Sequence, residues 1–268
     1  MRKFLAIICV ATLLTVGCGS DKVQRIGTIH HENVTEEAFA KYYEKTLQSR
    51  GKNSDCKYIF FDNMNSMANA LQSGQIDQMS TYESVASYIL TRNHNVEWEE
   101  LDPVLTDIFC CAMRKEDAAL KKEFDAAILK MANDGTLADL VKTYINESAR
   151  KETPTIIKMP AFYNDTTVRI GVTGDLPMLD YIRPDGIPAG FNTAVLAEIS
   201  KLIGRNFVLV QVDSGARAVA LASGKVDVIF WAVVPRGTDN LPLDFDKPDG
   251  VILTEPYFSD KIVHVKLR

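Results

Sequence analysis

Apolar residues fall in short blocks along this chain, and the spacing within the blocks switches between strand-like alternation and the helical period of about 3.6 residues. Residues 26–29, 58–61 and 76–80 read as strands bounded by polar or glycine-containing turns. Thr35 with Glu36 and Glu37 offers a cap and acidic first turn for a helix through about residue 47. Residues 66–71 and 83–90 follow helical spacing, 104–113 form a long apolar strand, and helices over 118–132 and 137–145 flank Asn133-Asp134-Gly135-Thr136. Lys151-Glu152-Thr153-Pro154 and Met159-Pro160 then break the periodicity, so 146–167 read as a linker. Beyond it come strands at 168–172, 207–212 and 226–231, a hairpin across Arg183-Pro184-Asp185-Gly186, and helices at 193–202 and 216–222. Short strands alternating with helices predict an α/β fold.

One pattern occurs twice. Ala70-Leu71-Gln72-Ser73-Gly74-Gln75-Ile76-Asp77 matches Ala220-Leu221-Ala222-Ser223-Gly224-Lys225-Val226-Asp227. Each reads as a helix stopped by a left-handed glycine and followed by a buried strand. Two copies in equivalent surroundings predict two related lobes.

Composition narrows the function classes. With 46% hydrophobic and 24% charged residues, wholesale disorder, fibres and disulfide-knot scaffolds are excluded. No Lys/Arg-rich tract marks a nucleic-acid footprint. Arg2, Lys3 and the apolar run from Phe4 to Val16 read as an export signal, too short to span a bilayer. The signal ends in Leu14-Thr15-Val16-Gly17-Cys18, which resembles a bacterial lipobox and implies a lipid on Cys18. Loss of residues 1–17 takes the net charge from −5 to about −7. Cys9 leaves with the signal, and Cys56, Cys110 and Cys111 are expected as small buried hydrophobes. On a strand, adjacent Cys110 and Cys111 point to opposite faces and cannot bridge. His30-His31 does not suggest a metal, because adjacent histidines diverge and no third ligand is apparent.

Residues 168–268 resemble the first lobe of family 3 extracellular solute-binding proteins, the amino-acid type served by ABC importers. The resemblance rests on Val168-Arg169-Ile170-Gly171-Val172-Thr173, Asp175-Leu176-Pro177, Asp185-Gly186-Ile187-Pro188-Ala189-Gly190-Phe191-Asn192, Leu196-Ala197-Glu198-Ile199, the Gly224 turn and Glu255-Pro256-Tyr257-Phe258-Ser259. Residues 25–108 resemble the second lobe, through Arg25-Ile26-Gly27-Thr28-Ile29 and Ser84-Val85-Ala86-Ser87-Tyr88-Ile89-Leu90. Phe109 to Arg114 resembles the crossover strand, and Asp134-Gly135-Thr136-Leu137 leads into the usual closing helix. The implied fold is two-lobed and periplasmic-binding-protein-like, type 2, with mixed sheets flanked by helices. Its lobe order is reversed, which we read as a circular permutation. In that reading 1–17 are the signal, 18–24 a tether and 25–108 the second-lobe equivalent. Residues 109–268 are the first-lobe equivalent, divided into crossover and closing helices (109–150), linker (146–167) and main part (168–268). The final run, 262–267, is then a former crossover strand expected to pair beside 109–113.

The resemblance implies a ligand held between closing lobes. Arg236 is the expected fork for a carboxylate, with Arg217 a second choice read as a helix-surface charge. Trp231 stands where small serines are common, Asp175 where an aromatic is common, and Ser214 at a frequent ligand-facing place. His31, Asn33 and Thr35 lie in the loop that presents hydroxyl and N–H donors. Tyr82 replaces the family's ammonium-binding Asp, a departure that Asp175 or Glu83 could offset. The expected protein is a non-enzymatic, membrane-anchored, monomeric lipoprotein on the periplasmic or cell-surface side. It delivers an amino acid or relative to a permease, with no cofactor, metal or nucleic acid. Two other classes stay open: an enzyme of dehydratase or cell-wall lyase type on the same fold, and a ligand-sensing or adhesive surface lipoprotein.

Overall fold

The computed structural model describes residues 23–29, 37–38, 41, 56–147, 156–163, 166–183, 185–236 and 249–268. The expected helix over 35–47, the loop residues His31, Asn33 and Thr35, and Cys18 lie outside these residues, apart from isolated helical positions at 37, 38 and 41.

In the N-terminal lobe, β1 (Gln24–Ile29) lies parallel between β2 (Cys56–Phe61) and β3 (Gln78–Tyr82). α1 (Met64–Gln72) starts where the Asn63 side chain accepts from Ser66 N at 2.9 Å, and it buries Met64, Met67, Ala70 and Leu71. α2 spans Glu83–Leu90. The C-terminal lobe repeats the plan, because β5 (Thr167–Val172) lies parallel between β9 (Asn206–Gln211) and β10 (Val228–Arg236).

β4 (Val96–Arg114), β11 (Val251–Leu253) and β12 (Phe258–Leu267) join the lobes. The strand order β2-β1-β3-β12-β4-β10-β5-β9, with β11 on β4, is one mixed sheet running through both lobes. α3 (Ala118–Asn133) turns Phe124, Ala127, Ile128 and Met131 into the core at helical spacing. A smaller sheet, β6 (Asp175–Leu176), β7 (Asp180–Ile182) and β8 (Pro188–Ala189), forms the expected hairpin beside α5 (Phe191–Ile203), while α4 (Thr136–Val141) precedes a π turn over Lys142–Asn146. α6 (Arg217–Ala222) follows a 3-10 turn, Ser214–Ala216. Residues 156–163 are anchored on this lobe: Ile157 is buried with Ala194 and Ala197, and Phe162 N donates to Asn206 Oδ1 at 2.8 Å.

The repeat seen in sequence is a repeat of hydrogen bonds. Gly74 and Gly224 both adopt left-handed conformations, with φ of 71° and 72°. Ser73 and Ser223 each donate Oγ–H to the carbonyl three residues back, of Ala70 and Ala220. Asp77 N donates to Arg25 O and Asp227 N to Arg169 O, both at 2.8 Å. Each carboxylate in turn receives the backbone N and the guanidinium of that same arginine.

Two expectations need correction. The strand expected over 104–113 begins at Val96, where Glu97, Glu99 and Glu100 and the later Pro103 hide its start in the sequence. These charges are tolerated because Lys266 on β12 meets Glu97 and Glu99. The terminal run 262–267 does pair with β4, but with Leu105 and 96–100 instead of 109–113; Phe258 is the residue opposite Phe109. Cys110 and Cys111 fall in separate apolar clusters, as alternation along a strand requires, and Cys56, Cys110 and Cys111 are not in disulfides.

Candidate functional site

In α/β sheets a ligand meets the chain beyond the carboxyl ends of parallel strands. Here those ends bring together Tyr82 and α2 from one lobe, and Thr173, Ser214 and Arg217 from the other. The lobes touch at this place, where Ser214 N donates to the Asp62 carbonyl across 3.2 Å.

β4 and β12 form the floor. Asp107 and Asp260 are direct partners in their antiparallel register, and both are buried. Tyr82, ending β3, donates its hydroxyl to Asp107 Oδ2 at 3.0 Å, and its ring meets Phe109 edge-on at 5.0 Å. Phe109 continues the contact to Tyr257 and Phe258, which pack against Phe191. This chain of rings fixes Tyr82 from behind and carries the apolar core through the junction. Burial, with Asp107 and Asp260 nearby, pushes the Tyr82 phenol well up, so it stays a donor.

Asp260 accepts from Ser84 N at 3.2 Å and from Lys261 N at 2.8 Å, so it closes the N-terminal end of α2, where Tyr82 offers no side-chain cap. Burial raises the Asp260 carboxyl to about 6, despite the Ser84 bonds that favour its anion.

On the facing lobe, Asp180 accepts from Thr173 N and Oγ1 at 2.8 and 2.9 Å, fixing the turn after β5. Burial raises its carboxyl, and the bonds from Gly174 and Thr173 work against that. Met178 adopts φ of 74°, unusual for a residue with a side chain. That conformation aims the carbonyls of Met178 and Leu179 at Phe191 N and Asn192 N, at 2.7 and 2.8 Å. Arg217 is 4% exposed, donates Nε–H to Ser214 O at 3.2 Å, and acts electrostatically on Tyr82, Asp180 and Tyr257. It is therefore no helix-surface charge. The short 3-10 turn before α6 rolls it inward, which a helical wheel extended through 216–222 does not anticipate.

Residues 168–248 match the family model of bacterial extracellular solute-binding proteins, family 3. The ABC transporter glutamine-binding protein GlnH of Bacillus subtilis (strain 168) is 29% identical over 98 residues, 37% of this chain and 36% of its own length. A probable histidine-binding protein of Campylobacter jejuni is 28% identical over 102 residues, 38% of this chain and 36% of its own. The chain thus spans little more than a third of the curated relatives it matches. Among solved structures, the ligand-binding component of an ABC-type import system from Staphylococcus aureus is 14% identical, covering 90% of this chain and 65% of that one at a TM-score of 0.44. An ancestral arginine-binding protein bound to arginine is 13% identical, covering 91% and 84% at a TM-score of 0.39.

In the lobe that carries this match, Ser214 is buried at the junction. Trp231 stands at the register irregularity of β10 between Ile229 and Ala232, and Arg236 ends β10 opposite Thr106. Asp175 pairs with Tyr181 in β6 and β7. Glu83 lies half-exposed, 3.7 Å from Lys261. The sequence reading missed Ser84, Asp107, Asn192 and Asp260. Their one legible signal is polarity inside otherwise apolar strands and helices, as with Asp107 between Leu105 and Phe109.

Proposed function

We propose that this chain is the solute-binding component of an ABC importer, closing two lobes over an amino acid or a close relative. The match of residues 168–248 to family 3 carries the reading, and the relatives named for glutamine and histidine binding support the solute class. In this reading Arg236 holds the solute's carboxylate, with Arg217 adding positive charge. Trp231, Asp175, Ser214 and Tyr82 line the site, and His31, Asn33 and Thr35 contribute from the loop of the second-lobe equivalent. Binding shifts an equilibrium between open and closed lobes, and the closed form is what the permease meets.

The lobes are in permuted order, the first-lobe equivalent following the second. Supporting this, the chain's last strand, β12, lies inside the sheet between β3 and β4, not at an edge. Export follows the signal of residues 1–17, and lipid on Cys18 holds the protein to the membrane. Among the described residues no helix is long and apolar enough to cross one.

A thermal-shift screen of amino acids tests the reading. A bound solute stabilises the folded chain by about 2.7 kcal/mol at a hundredfold excess over Kd and so raises the midpoint, and Arg236→Ala abolishes the rise. A rise that persists undiminished in Arg236→Ala overturns the carboxylate assignment.

A further inference from the structure

We propose that Leu176 is a latch between the lobes, reaching from β6 of the C-terminal lobe to α1 of the N-terminal lobe, so that a solute enters and leaves only when this contact breaks. The proposal rests on the solute-binding reading above and adds to it a control on the rates of capture and release.

Leu176 lies in a two-residue strand, yet it is 3% exposed. Part of what covers it belongs to the other lobe. β6 packs against α1, and Leu176 shares one apolar cluster with Met64, Met67, Ala70 and Leu71 of that helix. A second tie lies just before the same helix: Ser214 N donates to the carbonyl of Asp62, next to the Asn63 that caps α1. Two separate segments of the C-terminal lobe thus converge on one helix of its neighbour. Both ties are made by the chain itself and need no solute to complete them.

The turn after Leu176 keeps it in place. Leu179 N donates to Leu176 O at 3.1 Å, closing a four-residue turn with Pro177 second and Met178 third. Proline fixes φ at the second position, and Met178 takes a φ of 74° at the third, where a type II turn favours glycine. Among the described residues no other side-chain-bearing residue has positive φ. Such strain persists only where the surroundings over-determine it. Here the carbonyls of Met178 and Leu179 are held by Phe191 N and Asn192 N of α5, and Ile182 N donates to Gly174 O at 2.7 Å. Leu176 is therefore a fixed knob on its own lobe, and its contact with α1 parts only when the lobes part.

The consequence is kinetic. Burial of the Leu176 side chain favours the joined lobes. A solute reaches the site only in the fraction of molecules whose lobes are parted, which lowers the association rate by that fraction. The same contact must break again before the solute leaves, so dissociation is slowed too. Because the latch closes on the lobes with or without a solute, it changes both rates more than it changes Kd.

The test is stopped-flow tryptophan fluorescence of the purified full chain with L-glutamine, L-histidine and L-arginine, for wild type, Leu176→Ala, Leu176→Val and Leu176→Met. Small-angle scattering of each protein in buffer accompanies it. We expect Leu176→Ala to speed association and dissociation by about tenfold each, with Kd within about threefold of wild type. Leu176→Val should give a smaller rise in both rates, Leu176→Met should match wild type, and the radius of gyration should increase for Leu176→Ala. Faster dissociation with unchanged association would make Leu176 a structural support of the bound form and overturn the latch. Unchanged rates, or an unchanged radius in Leu176→Ala, overturn it as well. Should Leu176→Ala fail to fold, Leu176→Val decides by the same two rates. Binding of none of the three probes by any variant removes the solute-binding reading, while the radii still decide whether Leu176 holds the lobes together.

Discussion

Gly27 and Gly171 hold the same place in the two lobes, two residues after the arginine of each repeat, yet a side chain would fit at only one of them. A Cβ on Gly27 would stand 2.6 Å from Ile76 Cδ1 and 3.0 Å from both Met67 Cγ and Phe61 Cε2, whereas on Gly171 its nearest neighbours are the Val226 methyls at 3.4 Å. Ile76 and Met67 are fully buried and have little room to retreat. Gly27→Ala should therefore destabilise by about 1–3 kcal/mol through overpacking. Gly171→Ala should be neutral, or stabilise by about 0.5 kcal/mol through the unfolded chain. Urea unfolding of both variants checks this, and equal effects would show that the lobes are packed alike.

Asp227 gathers more charge than its counterpart's arginine pair alone provides. Besides Arg169 it takes Arg114 Nη2 at 3.3 Å, and Arg114 Nη1 also donates to the carbonyls of Leu221 and Val226. Burial pushes the Asp227 carboxyl up, but the bonds from Arg169 and Arg114 outweigh it and hold it down. Its stabilisation is present above the ordinary carboxylate range and is lost as pH falls through its lowered value. Asp227→Asn should cost about 1–2 kcal/mol at pH 7, with Arg169 half-exposed and its share screened by solvent. The cost should shrink towards pH 3 in denaturant titrations; a cost independent of pH would assign Asp227 a purely hydrogen-bonding role.

Most of this fold was legible in sequence because its signals are local. The Gly74 and Gly224 turns, the 83–90 helix and the strands around Ile170 and Phe60 follow from periodicity and glycine punctuation alone. The register of β12 was not legible: pairing between residues 105 and 262 is a long-range choice, and the irregularity between Ile262 and Val263 shifts it. The buried polar residues of the junction were obscure for a related reason. Asp107, Asp260 and Ser84 come from three separate segments, and nothing near any one of them announces the others. Arg217 was misplaced because a 3-10 turn changes which way the first residue of α6 points.

Cys56, Cys110 and Cys111 differ in access. Cys56 is partly exposed at the start of β2, whereas Cys110 and Cys111 are buried on opposite faces of β4, and burial raises the Cys111 thiol well above its ordinary value. A maleimide reagent should label Cys56 under native conditions and the β4 pair only after unfolding. Native labelling of Cys110 or Cys111 would mean that the strand joining the lobes opens readily.

His264 closes a buried relay. Its Nδ1–H donates to Gln78 Oε1 at 2.7 Å, Gln78 Nε2 donates to Glu99, and Glu99 takes Lys266. Nε2 has no partner, and burial lowers the imidazole to about 4. The folded protein therefore resists protonation that the unfolded chain accepts near 6.5. Stability is complete above pH 6.5 and is lost as pH falls towards 4, by up to about 3 kcal/mol. His264→Asn keeps a donor near Nδ1 and removes the titration, so its unfolding free energy relative to wild type should improve on acidification. A pH-independent difference would mean that His264 is charged in the fold.

Asp260 works in the opposite direction on the same strand. Its carboxyl sits at about 6 against an unfolded value near 3.9, so the fold holds that proton more tightly than the unfolded chain. The resulting cost is absent below pH 4, grows as pH rises, and is complete above 6, at up to about 3 kcal/mol. Asp260→Asn should match wild type at pH 4 and exceed its stability at pH 7.5, less what Asn loses as a weaker acceptor for Ser84 N. Between pH 4 and 6 the Asp260 and His264 contributions change by similar amounts and with opposite sign, so the pair adds little slope to the wild-type curve. Each single variant then exposes the other residue: His264→Asn gains stability as acid protonates Asp260, and Asp260→Asn loses it as His264 is forced to charge. Chemical unfolding of both variants and their combination at pH 4, 5, 6 and 7.5 measures this directly. Parallel curves for the two single variants would refute the assignment of opposed titrations to β12.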